Sequence, residues 1–506
     1  MKNNFAKSSI ILGIALVLAK MTGFVREIIL AAFFGADVVS DAFVLANTIF
    51  DTFIAVLGAS FAACFIPVYQ RAKGDKILLT RSVMSVAIIM GLAITLVLAI
   101  FPNVVLRLIA FQIDPETFEI AVFFVRYMAW SVVFIILTDI FNAHLEIESA
   151  FFSSGMRYVW RNLTVALGLV LGAMFGFNLV IALAPVVGNI FSMVIISLVS
   201  RKHGYVYRPY FAKSLELKEM LVLGIPIYIT AIIGYMNLII SRSFATTLPV
   251  GNISFLNYSY RIVMLFTMLL GKTLFTVLYP HMSKLAADGD LVKLKTTLTK
   301  SVVYVMLVMI PFCVGLIILA QPGVRILFER GYFTTEHTFY TAAALRMYAF
   351  VLISGSLTPL MLRAFYVLQD AKTTIVVASI SVIAGIGFNF LFLSIGVEGL
   401  ALSASLSGFL AVVLWLILLR RRLGCLNFIS YVPDLIKIVA ATIVMGVFVW
   451  FAAGMLPLMT VTIWQSALMC VILTMLAMLI YCALLASLKC KIFLEIISQV
   501  RKFKKG

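Results

Sequence analysis

The run Lys20-Met-Thr-Gly-Phe-Val-Arg26-Glu27 sets two cations and an acid inside an otherwise apolar stretch. A cationic side chain at the centre of a membrane helix costs about 2.5 to 3.5 kcal/mol on insertion scales, so such groups face a cavity, a partner or an anionic ligand. A second set lies in Asn257-Tyr-Ser-Tyr260-Arg261, with Lys272 eleven residues further on. That spacing is about three helical turns and returns nearly to the same face. Arginine grips phosphate or carboxylate oxygens in a planar fork while lysine supplies a point charge, so two such stripes suit a cavity for an anionic ligand. Lys20 and Arg26 lie about 120° apart on an ideal helix, a separation that Gly23 between them can relax. Asp41, which opens the next apolar run, is the expected partner of Arg26. The competing reading for each cation is snorkelling to the headgroup layer, or a static ion pair between helices. For Arg126, Asp139, Glu146, Arg242 and Arg363, nearer the ends of their runs, a snorkelling or interfacial role is expected. Asp51, in mid-run, has no evident partner.

The elements that must carry these residues are membrane helices. Of the 506 residues 63% are hydrophobic and only 12% charged, which excludes a soluble globular domain. About fourteen stretches are long enough to cross a bilayer, from one centred on Val17 to one centred on Leu473. The net charge of +18 follows the loops: Lys and Arg collect before the first run and after every second one. The positive-inside rule then places both termini in the cytoplasm and requires an even number of spans. This distribution accounts for the basicity as topology, and nucleic acid binding is not expected. The N-terminal run lacks a small-residue cleavage site and reads as a first span rather than a signal peptide. The six cysteines form no CxxC pair and the four histidines no HxxxH or HExxH spacing, so neither a disulfide framework nor a metal site is expected. No P-loop points to ATP hydrolysis, and no cofactor is expected.

Arg26 to Gly35 and Arg242 to Gly251 have the same separation, each running from the end of a span into a short loop. Phe65-Ile-Pro67-Val-Tyr69 and Leu278-Tyr-Pro280-His-Met close the second and eighth runs in a similar way. A shift of about six spans preserves orientation and predicts parallel repeats. The expected organisation is an N-lobe over residues 1–215, a C-lobe over 216–424, and two further helices with a basic cytoplasmic tail over 425–506. The fold class is therefore an all-α polytopic membrane protein: two pseudo-symmetric six-helix lobes around a central cavity, plus two C-terminal helices.

Several of these segments resemble one family. Lys20-Met-Thr-Gly-Phe-Val-Arg-Glu27, Ser40-Asp-Ala-Phe43 and Phe65-Ile-Pro-Val-Tyr69 look like the N-terminal signature of the MurJ/MviN lipid II flippases of the MOP exporter superfamily. Asn257-Tyr-Ser-Tyr-Arg261, Leu327-Phe-Glu-Arg-Gly-Tyr-Phe333, Ala364-Phe-Tyr-Val-Leu-Gln-Asp370 and Gly399-Leu-Ala-Leu-Ser403 extend the likeness over nearly the whole chain. The resemblance implies fourteen helices, two lobes around a cationic cavity, a lateral groove for a polyprenyl tail, and no covalent chemistry. It implies that Arg26 and Arg261 are cavity arginines, Asp41 a motif aspartate, Glu27 an acidic position and Lys20 a basic one, all serving an undecaprenyl-linked diphosphate precursor. Two departures mark a divergent member. The family's second-span Arg followed by Glu-Gly is replaced by Ile54 and Ala59-Ser60, with Lys272 a candidate substitute for the lost charge. The positions of a C-lobe sodium site hold Ser241 and Gly385, leaving Asn389 and Ser405 as polar remnants.

The resulting expectation is an alternating-access flippase for lipid II in a bacterial cytoplasmic membrane, acting as a monomer on a lipid-linked anionic saccharide among membrane lipids. A flippase for another undecaprenyl-linked saccharide (O-antigen, teichoic or capsular) is the nearest rival, favoured by the altered second span. A cation-coupled drug exporter calls for an acidic cavity, a scaffold tolerates loss of Lys20, Arg26 and Arg261, and an enzyme needs a catalytic cluster that the sequence lacks.

Overall fold

The computed structural model describes residues 2–72, 76–148, 150–204, 210, 215–287, 290–368, 370–424 and 426–503. Nine helices fill the first half: α1 (Lys2–Phe34), α2 (Val38–Arg71), α3 (Lys76–Ile100), α4 (Pro102–Ile109), α5 (Pro115–Met128), α6 (Ser131–Ile147), α7 (Phe151–Phe175), α8 (Asn178–Lys202) and α9 (Leu215–Ala245). Then come α10 (Asn252–Ala287), α11 (Leu291–Ile318), α12 (Ala320–Phe328), α13 (Thr335–Tyr348), α14 (Val351–Val367), α15 (Ala371–Phe392), α16 (Val397–Leu423), α17 (Val432–Met455), α18 (Ile463–Ser487) and α19 (Lys491–Phe503). Among the described residues there is no strand. That is what lipid demands, since helices satisfy their own backbone hydrogen bonds.

Nine of the described helical segments are long and apolar enough to span a membrane. The pairs α5–α6 and α13–α14, bent by 45° and 42°, pass the same test together, which raises the number to eleven where each pair is counted as one span. The two breaks share a sequence pattern. Arg126-Tyr-Met-Ala-Trp130 and Arg346-Met-Tyr-Ala-Phe350 end the leading helices with the same pattern. The Ala129 and Ala349 amides still donate to the carbonyls four residues back, and the next helices restart from the Ala129 and Ala349 carbonyls. Ahead of each bent pair stands a short helix, α4 or α12, carrying a proline in its first turns and an arginine near its end. The order of long, short, bent-pair and long helices in α1–α8 therefore recurs in α9–α16, with α17 and α18 following, as the repeat expected from the sequence requires.

The chain divides into two compact units, Met1–Ser254 with Arg330–Phe333, and Phe255–Glu329 with Thr334–Gly506. In the first, α7 packs along both α1 and α8. Small residues permit this approach: a Cβ on Gly155 would lie 2.5 Å from the Ala15 Cβ, and one on Gly168 would lie 2.1 Å from that of Ala184. In the second unit, Leu298, Val305, Met309, Leu357, Met361 and Trp415 share one buried cluster. Val303, Leu307, Ile438, Met445 and Tyr481 share another that ties α17 and α18 to α11, where the Tyr481 hydroxyl donates to the Leu307 carbonyl at 2.7 Å. The outer faces of α17 and α18 expose Val447, Trp450, Trp464, Met475 and Leu479, as helices solvated by lipid do.

Candidate functional site

The first unit gathers a set of charges inside its helical core. α1 runs unbroken through Gly23, so Lys20 and Arg26 keep their separate faces: Lys20 is exposed and Arg26 buried. Arg26 donates to Glu27 from Nη2 and to the Asn162 side-chain oxygen on α7, at 3.4 Å, from Nη1. Asn162 in turn donates to the Ala19 carbonyl at 3.0 Å. Gly23 makes room for this contact, since a Cβ would stand 3.1 Å from the Asn162 amide nitrogen.

One residue earlier on α7, Arg161 donates from Nη2 to Asp51 of α2 at 3.2 Å and to the Asn47 side-chain oxygen at 3.4 Å. Asn47 also donates to Asp51, at 3.1 Å. A further turn back, Arg157 pairs with Asp139 of α6 and donates to the Tyr158 hydroxyl at 2.6 Å. Three guanidinium–carboxylate pairs, Arg26–Glu27, Arg161–Asp51 and Arg157–Asp139, thus lie along α1, α2, α6 and α7. Desolvating an isolated charge costs several kcal/mol, and pairing with further hydrogen bonds offsets it. A small cavity opens against this row, lined by polar Thr138, Asp139, Tyr158, Asn189 and Ser192 together with Arg157 and Arg161.

Four expectations are corrected by these contacts. Asp41 does not pair with Arg26. It is buried, and its carboxylate accepts from the backbone amides of Gly251 at 2.7 Å and Ser254 at 2.8 Å. Its position is fixed by the start of α2, where Asp37 and Ser40 form a capping box. Asp51 has Arg161 and Asn47 as partners. Asp139 and Arg242 do not snorkel: both are buried, Asp139 against Arg157 and Arg242 donating to the Thr48 hydroxyl. Arg157 and Arg161, counted by the charge pattern as loop cations, stand inside α7. Their four-residue spacing ahead of the apolar run to Phe175, with Asn162 adjoining, was the available signal of a polar helix face.

In the second unit, Arg261 is half-buried on α10, beyond Tyr258, whose ring meets that of Phe328 at 5.1 Å. Ser259 donates to the Thr341 carbonyl at 2.7 Å and fastens α10 to α13. The side chain of Lys272 lies outside the described residues. Asn389 is buried on α15. Ser405 on α16 donates to the Met347 carbonyl at 2.6 Å. Among the described residues no group of three His, Cys, Asp or Glu side chains comes together as a metal site.

Repeated helix order, broken spans and buried ion pairs within apolar helices define a polytopic membrane protein with the fold of the MOP superfamily transporters. An inward-facing multidrug-resistance MATE transporter of that superfamily superposes with a TM-score of 0.69 at 18% identity, over 80% of this chain and 95% of that one. The family model described as lipid II flippase MurJ matches residues 30–468, and the chain belongs to that family. It is 25% identical over 415 residues to a probable lipid II flippase MurJ of Rickettsia prowazekii, covering 79% of this chain and 81% of the relative. It is 27% identical over 418 residues to that of Aquifex aeolicus, with the same coverage. The solved structure of a lipid II flippase MurJ in an inward closed conformation matches with a TM-score of 0.81 at 23% identity, over 94% of this chain and 98% of that one.

Proposed function

We propose that this chain carries lipid II from the inner to the outer leaflet of the bacterial cytoplasmic membrane by alternating access. The observation that carries the reading is the family match over residues 30–468. Its physical support is the cost of keeping Arg26, Arg157 and Arg161 in an apolar helical core, which an anionic substrate gives a reason to bear. Lys20, Arg26, Glu27 and Asp41 from the first repeat, and Arg261 and Lys272 from the second, are the proposed headgroup ligands. The arginines would fork onto diphosphate or carboxylate oxygens. Glu27 and Asp41 would hold those cations and the adjoining backbone in place. No cofactor or metal takes part in this reading, and the transporting species is a monomer.

The proposed topology has fourteen spans. The eleven identified by length and apolarity are joined by α1, α2 and α10, which at 33, 34 and 36 residues are long enough to cross. Both termini are then cytoplasmic, and the repeat boundaries fall at residues 1–215, 216–424 and 425–506. Transfer of another undecaprenyl-linked saccharide is the second reading, favoured by Ile54 where the family resemblance implies an arginine.

The test is rescue of a bacterium depleted of its own lipid II flippase, scored by the accessibility of lipid II to an externally added cleaving enzyme. Wild type should restore outer-leaflet lipid II and Arg261→Ala should not. A membrane-inserted wild type that restores nothing rejects lipid II in favour of the other saccharides.

A further inference from the structure

Asp139 stands where two cavities of the first unit meet. One is the polar cavity against Arg157 and Arg161. The other is an apolar slot lined by Leu57, Phe61, Met90, Ile136 and Tyr228, in which Asp139 is the only carboxylate among the described residues. Its Oδ1 accepts from Arg157, but its Oδ2 is buried without a hydrogen-bond partner. A buried carboxylate oxygen in that condition costs on the order of 1–3 kcal/mol or more.

The surroundings explain why no donor reaches it. Thr138 donates its hydroxyl to the Phe134 carbonyl, Ser192 to the Arg157 carbonyl, and Asn189 its amide to the Pro185 carbonyl. The Thr138 and Ser192 hydroxyl protons are therefore spent on backbone, the second Asn189 N–H does not reach Oδ2, and the oxygens of the same three side chains keep lone pairs to offer. The Tyr158 hydroxyl accepts from Arg157, and its own proton does not reach Oδ2. An acceptor that no wall donor reaches calls for a bound species that donates. A metal cation is disfavoured by the two guanidinium groups on the same wall, and the cavity, about 20 Å³, has room for little more than one water. A proton on Oδ2 meets both constraints, turning that oxygen into a donor and removing the unsatisfied charge.

We propose that Asp139 is a proton-binding site that couples proton uptake to the transport cycle. The step balances simply: a hydronium ion gives its proton to Oδ2, leaving water and a neutral carboxyl, and release is the reverse. Among the described residues, the titratable groups sharing the two cavities with Asp139 are Arg157, Tyr158 and Arg161 from α7, Cys64 from α2 and Tyr228 from α9, with Asp51 of α2 behind Arg161 and Glu146 on its own helix; α3 and α8 contribute none to either cavity. Before uptake the three buried pairs sum to zero charge. Afterwards Arg157 is left uncompensated and the cluster carries one positive charge, which strengthens its hold on an anionic headgroup. This coupling, though not the proton site itself, rests on the transport reading given above.

Infrared difference spectra of the purified full-length protein between neutral and acid pH test the site. Wild type should gain the carbonyl stretch of a buried protonated carboxyl. Asp139→Asn should lack it, and Asp139→Glu should shift it. Should Asp139→Asn fail to fold, Asp139→Asn with Arg157→Gln keeps the pair neutral and serves in its place. In proteoliposomes, the lipid II translocation rate of wild type should change about tenfold over the same pH interval, and that of the neutral variant should not. Absence of any Asp139-dependent carboxyl band in folded protein overturns the proton site. A band with a translocation rate equally pH-dependent in the neutral variant overturns the coupling. A band in a protein that moves no lipid II upholds the site and rejects the transport reading instead.

Discussion

Arg26 separates a ligand role from a structural one, because its neighbour in sequence is also its ion-pair partner. Arg26→Gln leaves Glu27 buried without this cation, and breaking such a pair costs about 3–5 kcal/mol. Its thermal midpoint in detergent should fall well below that of wild type. Arg26→Gln combined with Glu27→Gln removes both charges and should regain most of the stability, yet remain inactive in outer-leaflet exposure of lipid II. A double variant that transports like wild type would make the pair a structural clasp. The same contrast explains what could be read from the sequence. Arg26 and Glu27 were legible because charge inside an apolar run is conspicuous in one dimension. Asp51 was visible but unexplained, since Arg161 lies 110 residues away and only the packing of α7 against its neighbours brings the two together. Asp139 reads as interfacial in one dimension for a related reason: a helix end and a buried site look alike until the facing helix is known.

At the scale of elements, hydropathy gives spans but not their shapes. The breaks at Trp130 and Phe350 occur without proline or glycine, the residues that ordinarily announce a kink. The matching Arg-…-Ala-aromatic patterns become informative only once both bends are seen. Gly331 carries a clearer signal. In the Phe-Glu-Arg-Gly run it adopts φ +59°, and a Cβ there would stand 2.1 Å from the Ala32 carbonyl oxygen at the end of α1. That carbonyl accepts from the Tyr332 amide at 2.8 Å, so the glycine is what allows residues 330–333 to lie against α1. Gly331→Ala meets the left-handed backbone penalty of about 1–2 kcal/mol as well as the clash. The segment should lift from α1, and amide hydrogen exchange at Tyr332 should quicken about tenfold or more. Unchanged protection at Tyr332 would mean that the loop accommodates a side chain by another route.

For the molecule as a whole, composition already dictated a membrane protein, and the alternation of loop charge predicted its topology. What one dimension withheld is that the buried cations are mostly neutralised within the first unit, so the basic loops and the polar core serve separate ends. On the proposed reading the loops orient the chain, while the core sets how much charge moves with the substrate. If the headgroup crosses as a net anion, an inside-negative potential favours its outward transfer by about 2.3 kcal/mol per charge per 100 mV, or roughly 50-fold in the equilibrium ratio between leaflets. Imposing that potential on proteoliposomes with a potassium ionophore should therefore raise the share of lipid II in the outer leaflet. Each proton accompanying the headgroup on Asp139 cancels one unit of charge, so raising the pH should steepen the voltage dependence in wild type but not in Asp139→Asn. A leaflet ratio that ignores the potential at every pH would mean that no net charge crosses, and the drive would have to come from consumption of lipid II on the outer face.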